Sequence, residues 1–191
     1  MKNELCFRPV NESDGKSLYL FFTSLSEKSK ATFQPHPFTR EFAKKIANDF
    51  SSNLRIRIVA VINDANEIAG YAFLHRLPVL MKDGYFGIAV SDKHQKKGIG
   101  SSLLKYLLKY AKKKGVKHIL LNVYAHNIKA IAVYQKQGFE IHSPSLLLRK
   151  LITLNELIYN RNLLKLISKN KNESNDNQTE HGKPVWMKKD L

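Results

Sequence analysis

Cysteine is all but absent from this chain of 191 residues: Cys6 stands alone. A single thiol cannot close an intramolecular disulfide, which excludes a disulfide-stapled secreted fold and fits a reducing compartment. Acidic residues are scarce as well, 16 against 32 lysines and arginines. No apolar run reaches the roughly 18–20 residues of a membrane span. The leucine-rich stretch at 145–168 is broken by Arg149, Lys150, Glu156, Arg161 and Lys165. The opening MKNELCFRPV lacks the apolar core of a secretory signal. No internal repeat is found. These absences lead us to expect a cytoplasmic protein without a membrane span. An apolar content of 43% is enough for a packed core and too high for a disordered chain.

The scarcity of acid leaves a formal net charge of +16. Such a surface attracts anions: nucleic acid, phospholipid or a phosphorylated small molecule. The charge is concentrated. Nine lysines fall between Lys93 and Lys117 with no acid among them. Lysine-rich solvated faces are the plain alternative.

Short β-rich runs are predicted at Leu5–Val10, Arg55–Ile62, Glu67–Leu77 and Gly84–Val90. A turn at 63–66 makes the second and third a hairpin, and Lys82-Asp83-Gly84 reads as a further turn. Asp14 is a candidate cap for a helix over Gly15–Leu25, and Thr39 for one over Arg40–Asp49. A polar loop with FQPHPF (33–38) lies between them. In SSLLKYLLKYAKKKG, Leu103, Leu104, Leu107, Leu108 and Ala111 share one helical face, with lysines largely opposite. Gly115 ends this helix, and Val116–Tyr124 reads as a buried strand. Asn127 then caps a helix that Gly138 stops. Strand, glycine turn, helix and strand form a βαβ unit, so Gly84–Val90 and Val116–Tyr124 should run parallel. A leucine-rich helical stretch over 146–167, with a candidate break at Thr153-Leu154-Asn155, precedes a flexible polar loop over 171–183. Pro184–Asp190 reads as the last strand. The fold class is mixed α/β with a mostly antiparallel sheet.

The segment after Val90 carries the chemistry. Gln95-Lys96-Lys97-Gly98-Ile99-Gly100-Ser101 joins a strand to a helix. Unpaired N–H groups at a helix start, glycines that permit close approach and flanking lysines are the parts of a pyrophosphate site. The spacing is not that of a P-loop. It is not the dinucleotide fingerprint either, because Leu103 stands where the third glycine belongs.

VSDKHQKKGIGSSLL resembles the acetyl-CoA motif of the GNAT N-acetyltransferase superfamily, Gln/Arg-x-x-Gly-x-Gly/Ala, at Gln95, Gly98 and Gly100. NIKAIAVYQKQGF resembles that family's next motif at Asn127, Ala130, Tyr134, Gly138 and Phe139. The resemblance spans about Leu5–Ile141 and the last strand. It implies a GNAT fold: a mixed, mostly antiparallel twisted sheet, a central parallel βαβ unit and flanking helices. It also implies one domain over 1–191, with a leucine-rich helical insertion and flexible loop at about 143–183. Acetyl-CoA is then the acyl donor and an amine the acceptor, with no metal. The backbone of Gln95, Lys96, Lys97, Gly98, Ile99, Gly100 and Ser101 would hold the pyrophosphate. The strand at Ile88, Ala89 and Val90 would meet the pantetheine and the thioester carbonyl. Asn127 would bond near the pantetheine, and Tyr134 would protonate the departing thiolate.

Acetyl transfer needs a neutral amine, a polarised carbonyl and a proton donor, and no cysteine nucleophile. The strand GYFGIAV lacks the glutamate base many relatives carry. His75 and His36 are therefore candidate bases, with Tyr71, Tyr85 and solvent as alternatives. A small-molecule amine is the expected acceptor; a protein N-terminus or lysine is the alternative. Two readings of other classes stand beside this one: an inactive acyl-CoA sensor and a basic nucleic-acid-binding module. Binding of nucleic acid is not expected, because the opposite face of the lysine helix reads as core. The leucine-rich stretch admits an extra core helix, a lid, a membrane-surface face or a homodimer contact.

Overall fold

In a computed structural model, residues 5–33, 35–62, 67–77, 80–159 and 184–191 are described. They form two compact units, one from residues up to 119 with 190–191, the other from 120–189. In the first unit, strands β1 (Leu5–Pro9), β2 (Arg55–Ile62), β3 (Glu67–Leu77) and β4 (Leu80–Val90) precede the start of β5 (His118–Tyr124). They lie side by side in that order, and β1 to β4 pair antiparallel. Helices α1 (Gly15–Ser24), α2 (Glu27–Thr32) and α3 (Arg40–Asn48) come before β2, and α4 (Ile99–Lys113) joins β4 to β5.

Alternation decides what each strand covers. Arg55 pairs with His75 and His75 with Tyr85; Arg57 with Phe73 and Phe73 with Gly87; Val59 with Tyr71 and Tyr71 with Ala89. That face carries polar and aromatic side chains. The other face is mostly aliphatic, with Phe7 and Phe86 among its side chains, and receives α4. A Cβ on Gly70 would lie 3.1 Å from Leu103 Cδ2, so glycine lets this helix approach the sheet closely. Leu103, Leu104, Leu107, Leu108 and Ala111 are all buried, and Lys105, Lys109, Lys112 and Lys113 are exposed. Each leucine buried in this way contributes roughly 1.5–3 kcal/mol. Gly115 ends the helix segment with φ +82, the left-handed conformation a stop requires. At the start of β5, Lys117 N–H donates to Lys82 C=O at 2.7 Å. The beginnings of β4 and β5 are thus adjacent, as a parallel pair joined by a helix demands.

The second unit holds the rest of β5, α5 (Ile128–Lys136), β6 (Glu140–Ile141), α6 (Leu146–Tyr159) and β7 (Pro184–Asp190). Its strands follow the order β5-β7-β6, and β6 pairs antiparallel with β7. Gly138, at φ +81, turns the chain out of α5. Helix α6 runs unbroken through Thr153-Leu154-Asn155. It buries Ile152 and Asn155 and leaves Leu146, Leu147 and Leu154 exposed. The expected continuation of this helix to 167 and the polar loop at 171–183 lie outside the described residues, as does the turn at 63–66.

Three local expectations need correction. Asp14 makes no side-chain cap to α1. Its carboxylate takes two 2.7 Å bonds from the Arg8 guanidinium and one of 2.8 Å from Asn11 N–H. Asn11 caps the 3-10 turn Glu12–Asp14 ahead of α1, accepting from Ser13 N–H. Lys82-Asp83-Gly84 is no turn, because β4 already begins at Leu80. The loop before α3 also contains a short helix, α2, capped by Ser26.

Candidate active site

The turn at 95–101 is set by two backbone twists. Lys96 has φ 62 and Gly98 φ 77, both left-handed. Gly98 stands just before α4, and a Cβ there would meet nothing within 4 Å. The space over this turn is open. Helix α4 starts without a side-chain cap, unlike α2, α3 and α5, which use Ser26, Thr39 and Asn127. Its first closing bond runs from Ser102 N–H to Gly98 C=O, 3.1 Å. The N–H groups of Ile99, Gly100 and Ser101 come ahead of that bond and are left for an external acceptor. Lys96 and Lys97 are exposed beside them. Open space, unclaimed donors and cationic flanks fit a pyrophosphate.

Gln95 behaves differently from its neighbours. Its side-chain amide donates to Val90 C=O at 3.2 Å and to Ser29 Oγ at 3.3 Å, so it braces the turn. Ile88, Ala89 and Val90 lead into the turn and are half-buried, whereas the facing stretch of β3 is buried throughout. This part of β4 keeps accessible surface for a bound group.

The two candidate histidines lie inside the first unit. His75 is buried, with Nδ1 3.0 Å from the Tyr85 hydroxyl. Burial, and then the charges of Arg55 and Arg57, hold its pKa well below the ordinary histidine value. His36 stacks on Phe42 at 4.7 Å and meets Phe22 edge-on at 4.8 Å. Its Nδ1 is 3.1 Å from Pro37 C=O, and its buried Nε2 has no partner among the described residues. Burial lowers its pKa to about 3. Both rings are neutral near pH 7 and enclosed by other side chains. These surroundings favour a packing role over that of a base. Tyr71 is fully buried and Tyr85 nearly so.

Asn127 and Tyr134 belong to the second unit. Asn127 Oδ1 accepts from Ala130 N–H at 3.3 Å and caps α5. Two turns later, Tyr134 meets Phe139 edge-on at 5.9 Å. Part of the Tyr134 side chain stays accessible, while burial of its hydroxyl pushes the pKa up to about 12. Such a phenol is a proton donor at any neutral pH.

Three features escaped the sequence reading. β4 does carry a carboxylate: Asp83 Oδ1 is 2.6 Å from His118 Nδ1. The left-handed Lys96 leaves no sequence signal, since lysine seldom adopts that conformation. Ser26 followed by Glu27 is an ordinary helix-start signal that could have revealed α2. Both tyrosines of the lysine helix have neighbours against their rings. Tyr106 lies against Phe7 at 6.1 Å and Lys114 covers Tyr110 at 5.6 Å. Among the described residues no cluster suited to a metal is found, and no helix is long and apolar enough to cross a membrane.

A match to the acetyltransferase (GNAT) family covers residues 20–139, and the chain belongs to that family. GNAT acetyltransferases take their acyl group from acetyl-CoA. Over 68 residues the chain is 40% identical to the [ribosomal protein bS18]-alanine N-acetyltransferase of Escherichia coli (strain K12), a match over 36% of this chain and 46% of that protein. Over 73 residues it is 36% identical to the N-alpha-acetyltransferase of Sulfurisphaera tokodaii, covering 37% and 44%. The matched stretches thus span less than half of each relative. Two solved structures show the same fold. The ribosomal-protein-alanine N-acetyltransferase from Brucella melitensis superposes with TM-score 0.70 at 17% identity, over 97% of this chain and 99% of that one. The yncA structure from Salmonella typhimurium, solved with its cofactor acetyl-CoA, gives 0.68 at 13%, over 98% and 94%. The expected family and fold are therefore those found.

Proposed function

We propose that this chain transfers the acetyl group of acetyl-CoA directly to a primary amine, and that the amine is an α-amine. The observation that carries the first half is the uncapped, lysine-flanked start of α4 behind the left-handed Gly98. The backbone from Lys96 to Ser101 holds the pyrophosphate, and Lys96 and Lys97 draw it in. Ile88, Ala89 and Val90 offer main-chain groups to the acyl-bearing arm. The amine nitrogen bonds to the carbonyl carbon and the carbon–sulfur bond breaks. Tyr134 donates a hydrogen bond to the departing sulfur and delivers its proton there. The amine loses its own proton to water. Asn127 keeps α5, and with it Tyr134, in register.

The second half rests on the want of a suitable base among the described residues. His36 and His75 are buried and hold protons weakly. Asp83 is engaged by His118. An acceptor must then arrive neutral. At pH 7.5 roughly a third of an α-amino group is neutral, against about one lysine side chain in a thousand. This favours a polypeptide N-terminus over lysines and polyamines. The two curated relatives, named for alanine and N-alpha acetylation, support the polypeptide form. A peptide carrying one lysine, offered with its N-terminus free or blocked, tests the choice. Acetylation of the free form alone is expected. Equal acetylation of the blocked peptide would overturn it.

A further inference from the structure

The short helix α2 is tied to the cofactor turn through one carboxylate. Asp92 stands two residues beyond the end of β4. Its Oδ2 accepts from Ser26 N–H at 2.8 Å, and its Oδ1 accepts from the Ser26 and Ser29 hydroxyls, both at 2.8 Å. The Gln95 amide adds a longer contact of 3.4 Å to the same oxygen. Ser29 Oγ also receives the Gln95 amide, and Ser26 Oγ receives Ser29 N–H at 3.2 Å. Four residues thus form a closed polar knot. On the other flank, Glu67 Oε1 takes Lys93 Nζ at 2.8 Å and lies 2.9 Å from His94 Nε2. The three residues Asp92–His94 are therefore held from both sides, immediately ahead of the turn.

The knot matters because α2 has little else. None of its six residues is buried. Its C-terminal end is fixed by the next residue, Phe33, which lies 6.1 Å from Phe73. The glycine at 87 makes room there: a Cβ would sit 3.3 Å from Phe33 Cε2 and 2.5 Å from Phe73 Cε1. Its N-terminal end is fixed by Asp92. A six-residue helix without an apolar face is not stable on its own. Its order depends on these two anchors, and one of them is shared with the turn.

We propose that Asp92 is a positioning residue that couples α2 to the cofactor turn, so that filling the turn orders α2 and an ordered α2 tightens the turn's grip on coenzyme A. This rests on the reading of 95–101 as the pyrophosphate cradle. The coupling is reciprocal by thermodynamic necessity. A knot of exposed hydrogen bonds supports a modest effect, about 3–10-fold in affinity.

Hydrogen exchange on the full chain, with and without coenzyme A, tests this. In the unaltered protein, coenzyme A should slow exchange both at 96–102 and at 26–33. In Asp92→Ala it should still slow 96–102 but no longer 26–33, and calorimetry should show 3–10-fold weaker binding. Ser29→Ala should act in the same direction, and the double variant should be little weaker than Asp92→Ala. If Asp92→Ala does not fold, Ser29→Ala carries the same readout. A merely structural role would change exchange at 26–33 equally with and without ligand, and that result would overturn the coupling. So would protection of 26–33 that survives in Asp92→Ala. If coenzyme A binds without protecting 96–102, the cradle reading itself is wrong and the coupling falls with it.

Discussion

Lys96 and Gly98, two residues apart, both hold left-handed backbone, with φ 62 and φ 77. Gly98 does so freely and Lys96 at a cost of roughly 1–2 kcal/mol. Strain of this kind persists where the surroundings impose it, and it gathers at binding sites. Just beyond the second twist, the N–H groups of Ile99, Gly100 and Ser101 are left for an external acceptor.

Gly98→Val should abolish measurable binding of acetyl-CoA. Nothing within 4 Å opposes the new side chain, so the loss arises from the backbone: valine resists φ 77, and its branches occupy the space the phosphate needs. The melting temperature should fall by a few degrees only, as for roughly 1–2 kcal/mol of strain. Calorimetry on the folded variant measures this. Unchanged affinity would remove the cradle from its assigned place.

Tyr134→Phe deletes one hydroxyl and keeps the contact with Phe139. Turnover should drop by roughly 10²–10⁴, the range for a lost proton donor. Affinity for acetyl-CoA should stay within about twofold. A hydroxyl pushed up to about 12 is protonated throughout the working range. The unaltered enzyme should therefore show no loss of rate with rising pH that traces to this group below about pH 10. Rapid-quench kinetics on both proteins, with chemistry limiting, decides the role. An unchanged chemical step would exclude it.

Acid should destabilise the fold through two histidines. His36 is lowered to about 3 and His75 falls well below its ordinary value, so the unfolded chain binds protons that the folded one refuses. Their contribution is intact above about pH 6.5 and is lost as pH falls below it. By pH 5 His36 should cost about 2 kcal/mol, and His75 adds a loss in the same direction. His36→Phe keeps the ring stacked among Phe22, Phe38 and Phe42 and should remove the share of the loss that belongs to His36. Urea unfolding at pH 7 and pH 5 checks both proteins. Equal stability of the unaltered protein at the two pH values would contradict the burial of these rings as neutral groups.

What was legible in the sequence follows the range of the forces involved. The leucines of α4 repeat at helical spacing, and Gly115 and Gly138 mark stops, so helix and βαβ unit could be read locally. Thr39 and Asn127 signalled caps that are present. Asp14 misled because Arg8, six residues away, outcompetes the helix end for its carboxylate. The start of β4 was missed because Lys-Asp-Gly favours turns in isolation, whereas pairing with β3 holds Gly84 opposite Arg76 in an extended strand. Helix α2 was hidden because it buries no side chain and so has no apolar period. His36 and His75 were recognised as titratable, but their burial depends on strand register and on aromatic residues distant in the chain.

The most direct measurement is mass spectrometry of a peptide with a free N-terminus and one internal lysine, incubated with acetyl-CoA and the unaltered protein. One acetyl group should appear on the α-amine, with an equal amount of coenzyme A released, and the rate should climb with pH through about 8 as that amine loses its proton. Saturable binding of acetyl-CoA with no transfer to any amine, α or ε, across that pH range would contradict the enzyme reading and leave an acyl-CoA-binding domain.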